Sequence, residues 1–278
     1  MMNPRVYFLP KNAQQLVVTY LADDIAVSIV VPKHKKDIHS SFVADSGRTT
    51  QSKLSVDVPE LYLTHLLQED QFLLNAHQNG LLAPYVFANV YDYGAICFGD
   101  FFDHCPQDLR QAWNYYWETP FNQENSEFYE YHKEKCLGTS SHSYAGHKES
   151  INNNCICACC IEICNCPCYC IQSHLFEQYL KDYSSREFNY AKDPNILSEN
   201  SLLLEILSSK LIILPQILAA TLGLKAQKYP DMFFFVLRED ETFYHCALDH
   251  HTLQIPKAWI KHGTREEARS PDAQTFSS

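Results

Sequence analysis

Leu16-Val17-Val18-Thr19-Tyr20-Leu21-Ala22-Asp23-Asp24-Ile25-Ala26-Val27-Ser28-Ile29-Val30-Val31 decides the first question about the fold. Two runs rich in apolar and β-branched residues flank a compact turn, Ala22-Asp23-Asp24, and that pattern predicts an antiparallel hairpin. Within the second run Ile25, Val27, Ile29 and Val31 alternate, so they share one face of a strand. Val6 to Leu9 adds a further apolar run, and the first third reads as an antiparallel meander. Beyond it, the polar residues from Ser40 to Ser52, with Ser46-Gly47 inside, read as a loop. Pro59 is expected to open a short helix whose Leu63, Leu66 and Leu67 share a face, and Asn79-Gly80 to end the next segment with a turn.

Further along, Pro106 and Asp108 signal a helix start. Leu109, Ala112, Trp113, Tyr116 and Trp117 then recur at the spacing of a buried helical stripe until Pro120 stops it. Asn122 to Glu149 is polar and aromatic without a clean period and reads as loop. Leu202 to Leu224 reads as one or two amphipathic helices bent at Pro215, with Ile206, Leu207, Leu214, Ile217, Leu218 and Leu222 on the buried side. Met232 to Leu237 and Thr242 to Leu248 predict a β-hairpin. The fold class is therefore α+β. The expected organisation is a core over 1–135 and a polar, cysteine-rich insert or linker over 136–172. A helical and hairpin segment follows over 173–262, then a disordered tail over 263–278.

At 278 residues the chain is long enough to bury a sizeable core. A net charge of -11 argues against general binding to nucleic acid or an anionic membrane, both of which need a basic footprint. No uninterrupted apolar run spans a bilayer: residues 202 to 222 come nearest, and Glu205, Lys210 and Pro215 break them. The expected localisation is cytoplasmic, where thiols stay reduced and cysteines tend to bind metal or do chemistry.

That setting gives weight to Phe87-Ala88-Asn89-Val90-Tyr91-Asp92-Tyr93-Gly94-Ala95-Ile96-Cys97, which sets an amide side chain eight positions before a cysteine and a glycine three before it. A thiolate accepting an acyl group passes through a tetrahedral oxyanion, and an oriented carboxamide is a suitable donor to that oxygen. Cys97 is the candidate nucleophile and Asn89 the candidate oxyanion donor, with a turn at Gly94 folding the chain back to bring them together. The alternative is that Cys97 is a small apolar residue on a strand and Asn89 caps a turn.

The same window resembles the active-site segment of ubiquitin-conjugating enzymes through Asn89, Val90, Gly94, Ile96 and Cys97. A longer stretch, with Ala83-Pro84, Asn89-Val90, Gly94-Ala95-Ile96-Cys97-Phe98-Gly99, Trp113, Trp117 and Phe121 in that order, resembles the PRTRC system protein B group of prokaryotic ubiquitin-conjugating-like (UBC-like) proteins. The similarity covers roughly residues 81 to 123. It departs from the pattern where Phe87-Ala88 replaces His-Pro, where two residues are added between Pro84 and Asn89, and in lacking a first helix before Val6. The resemblance implies a UBC-like antiparallel β-meander packed with helices, followed here by the cysteine-rich insert and a helix plus β-hairpin. It also implies a thioester on Cys97 formed with a small ubiquitin-like modifier, which a ThiF-like activating enzyme delivers. A bacterial cassette with a JAB-type peptidase and a ParB-like protein is the implied setting. A non-catalytic interaction module of the same fold, or a metal-binding adaptor acting through the run from Cys155 to Cys170, is the competing expectation.

Eight of the 12 cysteines fall between positions 155 and 170: Cys155, Cys157, Cys159, Cys160, Cys164, Cys166, Cys168 and Cys170. Clustered thiolates suit a soft ion, so zinc or copper(I) is the expected cofactor of this segment, and a low-complexity expansion without a metal is the alternative. His245-Cys246 with His250 and His251 forms a weaker cluster, because His245 and Cys246 are adjacent on an expected strand and point to opposite faces. Asp103-His104 follows Cys97 closely enough to be weighed as a Cys-His pair, a role the resembled family does not use.

Overall fold

The structure, a computed structural model, describes residues 4–21, 23–43, 47–78, 81–85, 87–99, 104–123, 128, 168–185, 201–205, 208–224, 231–248 and 251–260. The first eight strands are β1 (Arg5–Phe8), β2 (Gln15–Tyr20), β3 (Ile25–Val31), β4 (His34–Val43), β5 (Thr49–Val58), β6 (Leu61–Leu66), β7 (Gln71–Gln78) and β8 (Leu81–Pro84). Helices α1 (Leu109–Glu118) and α2 (Cys168–Ser184) follow, then β9 (Ser201–Glu205), β10 (Lys210–Pro215), α3 (Gln216–Thr221), β11 (Asp231–Glu239), β12 (Phe243–Leu248) and β13 (His251–Pro256). The protein is mixed α+β, mostly antiparallel sheet with few helices, in line with the expected class.

Three sheets result: six strands in the order β8-β7-β6-β3-β2-β9, five in the order β1-β10-β11-β12-β13, and the separate hairpin β4-β5. The N- and C-terminal parts trade strands. Late β9 pairs with β2, from Gln15↔Glu205 to Thr19↔Ser201, while early β1 pairs with β10, from Arg5↔Ile213 to Phe8↔Lys210. Each of the two large sheets thus takes strands from both ends of the chain, and β1 leaves the expected meander to edge the other sheet.

Where local pattern and tertiary pairing agree, the elements are those expected. The β2–β3 turn closes with Leu21 N–H donating to the Asp24 carbonyl at 2.9 Å, and Ile25, Val27, Ile29 and Val31 enter the main core together. Helix α1 starts at Asp108, whose carboxylate accepts the Gln111 N–H at 2.9 Å as an N-cap, and buries Leu109, Ala112, Trp113, Tyr116 and Trp117. The hairpin of β11 and β12 forms, and β13 extends it to a third strand.

Three expectations are corrected. The segment after Pro59 is strand β6, not a helix: it lies between β3 and β7, and Leu61 and Leu63 enter the core on strand alternation. Its leucines at 63, 66 and 67 fit either period over so short a run. Within the polar stretch from Ser40 to Ser52, Ser40 to Val43 and Thr49 to Ser52 are not loop but paired strand of β4 and β5, with a Ser40–Ser52 hydroxyl pair 2.6 Å apart, while residues 44–46 lie outside the described residues. Ile38, Phe42, Leu54 and Val56 alternate inward beneath the polar face of this hairpin. Finally, Leu202 to Leu224 is not a bent helix pair, since it supplies β9 and β10 before α3 begins after Pro215. Central strand β10 is buried on both faces, sending Leu211 and Ile213 into the main core and Ile212 and Leu214 into a second one with Phe234, Val236 and Cys246. Such a strand reads as an unbroken apolar run without a diagnostic period. The expected turn at Asn79-Gly80, most of the insert over 136–172 and the tail over 263–278 lie outside the described residues.

Candidate functional site

Residues 87–97 fold as two linked turns. Val90 N–H donates to the Phe87 carbonyl at 3.0 Å with Asn89 at φ 64°, the left-handed conformation that a turn of this kind requires at its third position and that asparagine tolerates better than most side chains. The chain then reverses through Tyr91 to Gly94. Gly94 N–H donates to Tyr91 O at 2.8 Å, Tyr91 N–H to Ala95 O at 2.9 Å, and Gly94 sits at φ 93°. This is a three-residue hairpin loop with glycine in the bulge position, where a Cβ would be strained whatever the space around it.

The small hairpin is fastened to the large sheet. Ile96 N–H donates to Phe72 O and Leu74 N–H to Gly94 O, both at 2.8 Å, so 94–96 covers the part of the β7 edge that short β8 leaves open. Val90 and Ile96 pair across it and face the core, and Cys97 N–H donates to Asn89 O at 2.8 Å. The two sequence-derived site residues are thereby brought opposite each other, backbone to backbone.

Their side chains differ in environment. The Cys97 thiol is free and the residue is half-buried. Asn89 is buried, and its Nδ2 donates to the Pro120 carbonyl at 3.3 Å, tying the first turn to the residue that ends α1. Tyr116 on α1 adds a second tie, its hydroxyl donating to Ala88 O at 3.4 Å. Tyr116 and Trp117 of α1 pack in turn against Phe121, so the first turn of the hairpin is held to this aromatic group through Ala88 and Asn89.

Sequence reasoning missed Tyr91. The side chain of Cys97, through hydrogen bonding and then through its charge, pushes the Tyr91 hydroxyl above its ordinary pKa. Tyr91 and Tyr93 stack with centroids 5.5 Å apart and planes 5° apart, and both are exposed, at 40% and 57%. The pairing of 90 with 96 places 91 diagonally across from 97, a relation that only the hairpin register supplies.

The other sequence candidates lie elsewhere. His104 is exposed and no hydrogen bond joins it to Cys97; Asp103 lies outside the described residues. Cys168 and Cys170 fall in the first turn of α2, while Cys155, Cys157, Cys159, Cys160, Cys164 and Cys166 lie outside the described residues. Among the described residues no group of three or more His, Cys, Asp or Glu side chains is arranged to hold a metal. His245 is buried and its Nε2 donates to Asp240, whose other carboxylate oxygen accepts Thr242 and Phe243 N–H at 2.8 Å and fixes the β11–β12 turn. That hydrogen bond with the His245 ring, with the two backbone donors adding to it, holds the Asp240 carboxyl well below the usual range. Cys246, its neighbour, is in the second core. Among the described residues no helix is long and apolar enough to cross a membrane. No family model matches the chain, and neither a curated protein nor a solved structure matches it.

Proposed function

We propose that this protein is a ubiquitin-conjugating-like acyl carrier that holds the C-terminus of a small ubiquitin-like modifier as a thioester on Cys97 and passes it to an amine. The observation that carries this reading is the hairpin that sets a free, half-buried cysteine opposite Asn89 across the backbone, with Tyr91 diagonally across from it. In the first step the Cys97 sulfur attacks the activated carbonyl delivered by a ThiF-like activating enzyme, forming the new C–S bond as the activating group leaves. In the second an amine attacks the same carbonyl, the C–N bond forms, the Cys97 thiolate leaves and the amine proton passes to solvent. Both steps develop negative charge on the carbonyl oxygen. Asn89 gives one N–H to Pro120 and retains a second as the oxyanion donor, and Tyr91, beside Cys97, donates to the thiolate before it attacks and again as it leaves.

The reading takes a UBC-like fold and a PRTRC-type cassette with a JAB-type peptidase and a ParB-like protein from the sequence resemblance, and a cytoplasmic setting from the expectation drawn from apolar patterning. Incubation with a cognate modifier, its activating enzyme and ATP is expected to give a reductant-sensitive adduct that Cys97→Ala abolishes. No adduct, with the activating enzyme itself charged, would overturn it.

A second reading, a non-catalytic module that binds the modifier, is favoured by the burial of Asn89 and its engagement by Pro120. It predicts that the modifier binds wild type and Cys97→Ala equally, without an adduct. The cysteine run from Cys155 to Cys170 carries a separate proposal, binding of zinc or copper(I). Less than one equivalent of either metal in protein purified under reducing conditions with its thiols intact would end it.

A further inference from the structure

A line of polar groups that the proposed chemistry does not use, buried at Tyr7 and His65 and exposed at Asp70, runs from the start of α1 to the β6–β7 turn. Tyr7 on β1 is wholly buried and His65 on β6 is 1% exposed. Leu109 N–H, at the start of α1, donates to the Tyr7 hydroxyl oxygen at 3.1 Å; that oxygen lies 3.0 Å from His65 Nδ1, and His65 Nε2 lies 3.3 Å from the Asp70 carboxylate. Directions follow from the ends. A backbone N–H can only donate and an ionised carboxylate can only accept, so Tyr7 donates to Nδ1 and the neutral imidazole carries its hydrogen on Nε2. Every donor in the line then has one acceptor, and the line joins β1, β6, the β6–β7 turn and α1.

A proton added at Nδ1 breaks that order. Two donors then face each other across 3.0 Å, and the Tyr7 hydrogen must turn away inside a region without solvent. Asp108 is the acidic group next to it, already accepting Gln111 N–H at 2.9 Å and Phe8 N–H at 3.4 Å. Either the Leu109 bond or the N-cap is disturbed. We propose that Asp70, His65 and Tyr7 form an acid-sensitive latch that fastens the N-terminus of α1 to β1 and β6 and releases it when His65 gains a proton. Because Pro120, two residues past the end of α1, holds Asn89, the latch lies at the opposite end of the helix from the tie to the Cys97 hairpin.

The groups facing His65 act in both directions. Burial lowers its pKa; Asp70 and, more weakly, Asp108 oppose that, and Arg5, whose guanidinium sits 5.7 Å from the Tyr7 ring centroid, adds to it. The neighbouring Phe72 ring, stacked at 3.9 Å, carries no charge. The folded state binds fewer protons at His65 than the unfolded chain, so its contribution is whole above the ordinary value of 6.5 and is lost as pH falls below it. Asp108 has the opposite sign, since burial raises its pKa and favours its protonated form as pH falls toward 3.8. Asp108→Asn removes that second titration and keeps a good N-cap.

Amide hydrogen exchange at Leu109, corrected for its intrinsic pH dependence, tests the latch. Between pH 7.5 and 5.5 its protection is expected to fall by about tenfold in wild type and in Asp108→Asn, while amides of β3 hold. In His65→Gln, whose side chain does not titrate, the dependence disappears; in Tyr7→Phe the protection at pH 7.5 is already at the wild-type acid level. Should His65→Gln not fold, the wild-type imidazole titration by NMR decides, with an Nε2-protonated neutral form and a midpoint below 6.5 expected. Constant Leu109 protection in wild type, a pH dependence that survives His65→Gln, or a midpoint at or above 6.5 would overturn the proposal.

Discussion

Cys97 and Cys246 are both free thiols next to a sheet, and their surroundings make them different groups. Cys246 sits on β12 between Val236 and Leu253, fully buried in the second core, and burial pushes its thiol up to about 12. Cys97 leaves a hairpin laid on the edge of β7 and is half-buried. A central strand places its neighbours on both sides and withholds solvent from the thiol, whereas an edge hairpin gives the backbone its partners and leaves one face open. Chemistry by cysteine is therefore a property of position in the sheet, and the residue type alone does not confer it.

The largest effect expected from this contrast is in alkylation. At pH 8 a thiol near 12 holds about a thousandfold less thiolate than one at its ordinary 9.0, before access is considered. Brief native treatment with iodoacetamide followed by peptide mapping should label Cys97 and exposed Cys105 and leave Cys246 untouched until the protein is unfolded. Equal labelling of Cys97 and Cys246 breaks the comparison. Stability should show the reverse order. Cys246→Ser buries a hydroxyl among apolar side chains and is expected to cost about 1–3 kcal/mol in urea unfolding, against less than about 0.5 kcal/mol for Cys97→Ser. A smaller effect sharpens the role of the hairpin: Gly94→Ala forces a side chain into the left-handed region and should cost about 1–2 kcal/mol. The same change should slow formation of the Cys97 adduct more than it changes labelling of Cys105. Unchanged stability there would mean that the turn does not need its glycine.

Legibility followed the range of the interactions. The Ala22 to Asp24 turn and the stripe of α1 are written in neighbouring residues, and both appear where the sequence placed them. The β4–β5 hairpin hid behind serines and threonines because its apolar residues alternate with a solvated face. β10 hid for the contrary reason, being apolar on both faces. At the site, the spacing of Asn89, Gly94 and Cys97 foretold the reversal and the opposition of 89 and 97. It did not foretell that the Asn89 amide would reach Pro120 or that Tyr91 would lie diagonally across from Cys97, since both depend on where a distant helix and a two-residue register come to rest.

By itself the sequence determined the α+β class, the first hairpin, the helix behind the site and the turn that carries Cys97, because turn chemistry and periodicity act over a few residues. Tertiary structure alone decided that β1 and β9 change sheets, that one cysteine is sealed and another half-open, and that Tyr7, His65 and Asp70 meet under α1. Those outcomes depend on which surfaces exclude water from one another, and residues 58 apart in the chain, as Tyr7 and His65 are, carry no local mark of that encounter.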